Sequence, residues 1–96
     1  MPRLPRFDLP GLPQHVVQRG HDRRAIFFDD SDYLAYLEWL AKGRRVYGVA
    51  IHAYCLMTNH VHLLVTPSGK GALPRLMQYL GRHYVGEIQE KFKGSD

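Results

Sequence analysis

Apolar and polar residues change their spacing twice along this chain, and the changes mark out its elements. The stretch His15-Val16-Val17-Gln18-Arg19 is short, partly β-branched and closed by Gly20, which predicts a first strand over 15–19. Upstream of it, Pro2, Pro5, Pro10 and Pro13 exclude helix and central strand, so 1–13 reads as an extended basic arm and 14–93 as one domain. Tyr33, Leu34, Leu37, Leu40 and Ala41 then recur at three- and four-residue intervals and predict a helix over 31–46. Asp30 or Ser31 would cap it, Asp29, Asp30 and Asp32 suit its positive end, Lys42, Arg44 and Arg45 suit the other, and Gly48 stops it.

From Val49 the period becomes two. Val49, Ile51, Ala53, Cys55 and Met57 fall on one face and Ala50, His52, Tyr54 and Leu56 on the other; both are largely apolar, which places this strand inside a sheet. Thr58 and Asn59 form a turn, and a return strand runs over 60–66 to Pro67. A last helix over 71–92 carries Leu73, Leu76, Met77, Leu80, Tyr84 and Ile88 on one stripe, with Pro74 in its first turn and Tyr79 off the stripe, facing solvent. The order strand, helix, strand, strand, helix favours an α+β domain: an antiparallel sheet covered on one face and open to a ligand on the other.

Length and composition fit that picture. The 96 residues suffice for one core, and 45% hydrophobic with 23% charged residues is the balance of a folding chain. There is no apolar run of membrane length and no secretory h-region, so a cytoplasmic protein without a membrane partner is expected. Cys55 is the chain's one cysteine, which rules out an intramolecular disulfide and any C-x-x-C metal or redox motif.

The net charge of +4 is uneven: Arg3, Arg6, Arg19, Arg23 and Arg24 crowd the first 24 residues, and Arg75 and Arg82 lie in the last helix. Such clusters suit a polyanion, although a solvated basic surface with no ligand is the better explanation of charge alone. His60-Val61-His62 is more informative. Residues two apart in a strand share a face, so the two imidazoles project together while Val61, Leu63 and Val65 enter the core. A pair of neutral imidazoles is half of a divalent metal site, to be completed by water, carboxamide or carboxylate, yet any H-x-H match also arises without a ligand. Cys55 is a rival ligand, because a two-residue turn sets it nearly opposite His62; structural zinc, however, needs four protein ligands, usually richer in sulfur.

The longer string Ala53-Tyr54-Cys55-Leu56-Met57-Thr58-Asn59-His60-Val61-His62-Leu63-Leu64-Val65 resembles the signature of the insertion-sequence and REP-associated single-tyrosine transposases. Gly11 to Gly20 resembles the family's first strand, Ile26-Phe27-Phe28 with Asp32 the entrance to its first helix, and Leu76-Met77-Gln78 with Tyr84 its second helix; Thr58 departs from the Pro common there. The resemblance implies a ferredoxin-like palm that binds single-stranded or hairpin DNA, with His60 and His62 holding Mg or Mn at the scissile phosphate. It further implies a tyrosine that attacks to leave a 5′-phosphotyrosyl enzyme and a free 3′-hydroxyl. Arg3, Arg6, Arg19, Arg23, Arg24 and Arg82 are the candidate DNA contacts.

Family members continue into another strand and a helix whose Y-I-x-x-N-P-type motif supplies the tyrosine and a further ligand, and no such motif precedes Asp96. The chain therefore resembles the first two thirds of a transposase. Tyr84 is the candidate substitute nucleophile and Gln89, like Glu87, a candidate third ligand, although packing along the apolar stripe is the simpler role for Tyr84. Because the absent strand would pair beside the first strand, that edge is expected to be open and to support a homodimer. Two other readings stay open: a DNA-binding module that cleaves nothing, and a structural-zinc domain using Cys55, His60 and His62.

Overall fold

Five elements follow the sequence in the expected order: strand β1 (Gln14–Arg19), helix α1 (Asp30–Tyr47), strands β2 (Val49–Met57) and β3 (His60–Pro67), and helix α2 (Ala72–Leu80), which runs into a π-helical turn at Gly81–Val85. They come from a computed structural model that describes residues 9–20 and 24–85. The sheet is antiparallel with strand order β1-β3-β2, the arrangement of the β-α-β-β-α part of a ferredoxin-like α+β fold. Among the described residues no helix is long and apolar enough to cross a membrane.

The central strand is β3, not β2. Val61, Leu63 and Val65 are essentially inaccessible and meet Tyr36 and Leu40 of α1, Leu73, Leu76 and Leu80 of α2, and Tyr84 in one core. The two apolar faces of β2 instead reflect an irregular edge strand. A register shift between Ile51 and Ala53 separates His52 from Tyr54, which were expected on one face. His52 bonds to Thr66 Oγ1 at 2.7 Å, whereas Tyr54 pairs with core-facing Leu63.

Helix α1 begins one residue earlier than its acidic run suggests. Asp29 is the N-cap, accepting from Asp32 N–H, while the Asp32 carboxylate accepts from the Asp29 and Phe28 N–H groups, a reciprocal capping box. Gly48 closes the helix in the left-handed region (φ 70°), donating its N–H to Arg44 C=O. The buried stripe is Asp32, Tyr36, Leu40 and Gly43, so Leu34, expected on it, is 63% exposed. The stripe is rotated toward Gly43, against which α2 packs tightly: a Cβ there would lie 2.7 Å from Leu76 Cδ1 and 2.9 Å from Tyr79 Cδ2. Tyr79 accordingly is not a solvent-facing residue. It packs between Trp39 and Tyr47, and His83 of the π-helical turn stacks on Trp39.

The β2–β3 hairpin turns on Thr58 and Asn59, with Met57 registered on His60 as the spacing predicts. The Thr58 carbonyl accepts from Ile26 and Phe27 N–H, and the Asn59 carbonyl from Gly20 N–H, so the segment entering α1 is tied to the hairpin end that carries His60. Of the arm expected over 1–13, residues 9–13 form a turn fastened by Gly11 N–H to the Pro67 carbonyl at 2.8 Å; residues 1–8 lie outside the described residues.

Candidate metal centre

Strand alternation buries Val61, Leu63 and Val65 and turns His60, His62 and Leu64 to the opposite face, away from both helices. On the neighbouring strands the same face carries Val17 and Arg19, registered on His62 and His60, and Cys55 and Met57, registered on the same two residues from the other side. Arg19, Cys55 and Met57 are exposed, so the histidine pair sits on an open sheet surface.

The two rings are held differently but to the same effect. His60 Nδ1 lies 2.8 Å from Asn59 Oδ1, and His62 Nδ1 lies 2.9 Å from His15 Nε2. The His60 and His62 centroids are 4.9 Å apart at 69°. Both Nδ1 atoms are engaged by neighbours, and neither Nε2 has a hydrogen-bond partner among the described residues. The His62 pKa lies below the ordinary imidazole value, first through desolvation and then through the nearby charges of His60, His15 and Arg19. Lowering keeps the ring neutral at neutral pH, the state in which imidazole offers a lone pair to a metal.

The histidine pair is incomplete as a metal site. Among the described residues no group of three or more His, Cys, Asp or Glu side chains is placed to hold an ion. Cys55 lies across from His62 as expected and is a free, exposed thiol. Gln89, the candidate third ligand, lies outside the described residues, as do Arg3, Arg6 and Arg23. Arg19 joins the histidine face, Arg24 is exposed in the loop before Ile26, and Arg82 is exposed in the π-helical turn on the helical side.

Tyr84 is not brought to the histidines. It is 2% exposed, donates to the Ile26 carbonyl at 2.5 Å and packs on Phe27 and Tyr36, on the far side of the sheet. The other five of the chain's six tyrosines also stand off the histidine face. Tyr36 is buried and donates to Gln18 Oε1, and burial pushes its phenol pKa up. Tyr33 stacks on Phe27, Tyr47 and Tyr79 lie between the helices, and Tyr54 shares the face of Leu63.

Sequence reasoning missed two residues, His15 and Asn59. The signal for His15 was present in strand parity, since it shares a face with Val17 and Arg19, but only the β1–β3 register sets that face beside His62. No curated protein and no solved structure matches the chain. The family model described as transposase IS200-like matches residues 9–96, nearly the entire sequence, and on that match the chain belongs to the IS200-like transposases.

Proposed function

We propose that this chain is the DNA- and metal-binding body of a single-tyrosine transposase, gripping single-stranded or hairpin DNA so that a phosphodiester lies over His60 and His62. The observation that carries the reading is the pair of imidazoles on an open sheet face, each with Nδ1 occupied and Nε2 left for a ligand. Two imidazoles by themselves suit a transition ion, so a Mg or Mn ion held by His60 and His62 would draw its remaining positions from oxygen donors: water, a phosphate oxygen or the carboxamide of Gln89. Such an ion supplies neutralisation of the charge that builds on the non-bridging phosphate oxygens. Arg19, registered on His60, adds a guanidinium suited to the same phosphate.

In the full reaction a tyrosine oxygen bonds to phosphorus as the 3′-oxygen leaves, conserving the phosphoester for rejoining. None of the six tyrosines faces the histidines, which favours a second reading for this chain acting alone: a module that binds DNA and metal without forming the adduct. The structural-zinc alternative has the weaker support, because Cys55 and the histidines are not joined by a closed set of ligands among the described residues.

DNA affinity should fall steeply with salt and favour hairpin or single strand over blunt duplex. Replacing Arg19, Arg23 and Arg24 by Ala should flatten the log–log salt slope by roughly 0.7 for each phosphate that is no longer neutralised. Fluorescence titration at several salt concentrations measures this; equal affinity for duplex of the same length, or a slope unchanged in the triple variant, contradicts the reading.

Among the described residues β1 pairs with β3 on one side only, and an apolar groove of about 700 Å³ lies between it and Leu73, Pro74 and Met77 of α2. An open strand edge of this kind pairs readily with a second copy, and a homodimer through β1 is the expected assembly. Sedimentation should report concentration-dependent dimers, and a strictly monomeric species at high concentration contradicts it.

A further inference from the structure

We propose that His15 is a positioning residue that locks the His62 ring in the Nδ1–H tautomer, so that His62 presents an unprotonated Nε2 to a metal ion. This rests on the reading of His60 and His62 as metal ligands and assigns a function to a residue outside that pair. The contact is a hydrogen bond rather than a ring stack. The His15 and His62 planes are within 5° of parallel, yet their facing nitrogens are 2.9 Å apart. Stacked rings sit about 3.5 Å apart or more, so these two meet edge to edge. Centroids 5.1 Å apart agree with rings joined through their edges.

Between neutral imidazoles an N···N contact of this length has one donor and one acceptor. If His15 donates, His62 carries its proton on Nε2 and that nitrogen is closed to a metal. If His62 Nδ1–H donates to His15 Nε2, the proton of His15 sits on its own Nδ1 and His62 Nε2 is left with its lone pair. Only the second pairing is compatible with metal binding through Nε2, and it reproduces the arrangement in which a ligating histidine donates its other N–H to an outer partner. Asn59 Oδ1 plays the same part for His60 Nδ1.

His15 is not itself a third ligand through the nitrogen that faces the pair, because Nε2 is taken by His62. The absence of any three-residue metal set among the described residues agrees. Its position follows from the register. His15 lies across from Leu64 and therefore diagonal to His62, a separation an aromatic side chain spans, while Val17 directly opposite His62 is small enough to leave the path clear.

The test uses the whole chain at neutral pH, with Mn alone as probe. Long-range proton–nitrogen NMR of the metal-free protein should find His62 as the Nδ1–H tautomer, and His15→Ala should shift it toward the Nε2–H form that an unconstrained imidazole favours. Mn affinity should fall by roughly 10–100-fold in His15→Ala, the usual loss on removing an outer-shell partner, with the thermal midpoint little changed. His15→Gln, whose Oε1 can accept from His62 Nδ1, should recover most of the affinity and the tautomer. An Nε2–H tautomer for His62 in the parent protein, or Mn affinity in His15→Ala equal to the parent's, overturns the proposal. Failure of the metal reading is seen separately: there the His60→Ala, His62→Ala variant keeps its Mn affinity, whereas failure of the His15 proposal alone leaves that variant unable to bind.

Discussion

Replacing Tyr84 by Ala is expected to cost roughly 3–5 kcal/mol of folding free energy, the range for removing a packed aromatic ring. Tyr84 belongs to an aromatic cluster with Phe27 and Tyr36, at ring distances of 5.4 and 5.3 Å, and it fills the space between α1 and the π-helical turn. A small domain has a total stability of about 5–15 kcal/mol, so this one change removes a large share of it. Tyr84→Phe keeps the ring but takes the hydroxyl from the Ile26 carbonyl, and should cost about 1–3 kcal/mol for the buried acceptor left short of a partner. Urea denaturation of the three proteins measures both values. The same variants address the chemistry. With 5′- and 3′-labelled hairpins and Mn, no covalent adduct should depend on Tyr84, since its hydroxyl is held on the opposite side of the sheet from His60 and His62. An adduct formed by the parent chain and lost in a folded Tyr84→Phe variant contradicts this placement.

Much of the frame is legible in the sequence because its signals are local. Gly48 and the two-residue turn at Thr58 and Asn59 act within a few residues and lie where expected, and the acidic run marks the start of α1, although the cap is Asp29 and not Asp30 or Ser31. What escaped reading depends on contacts between distant segments. The extra residue in β2 rotates half that strand about its axis, which alternation cannot reveal because both faces are apolar. The α1 stripe is set by the approach of α2 at Gly43 and by the Tyr36 hydroxyl reaching Gln18, not by the count of leucines. Tyr79 looks exposed on a helical wheel of its own helix and becomes half-buried only because Trp39 and Tyr47 come to meet it.

The candidate site divides in the same way. His-x-His announces itself by parity alone, and the buried partners Val61 and Leu63 keep the two rings on one face. The partners that orient those rings are a neighbour in sequence, Asn59, and a residue 47 positions away, His15, and no spacing rule reaches the second. The tyrosines illustrate the converse: sequence offers six, and the fold assigns them to the core, the helix interface and the helical face of the sheet.

The largest functional effect is expected from removing the histidine pair itself. His60 and His62 are half-buried on an open surface, so His60→Ala, His62→Ala should leave folding nearly intact. The loss in metal affinity should exceed the roughly 10–100-fold typical of outer-shell changes, because the protein's own donors are gone. Calorimetric titration of Mn into the parent chain and the double variant, with Cys55→Ser alongside and zinc as a second ion, tests this most directly. Weak Mn binding is expected in the parent and in Cys55→Ser, and none in the double variant. Mn binding that survives in the double variant, or tight zinc binding that disappears in Cys55→Ser, would contradict it.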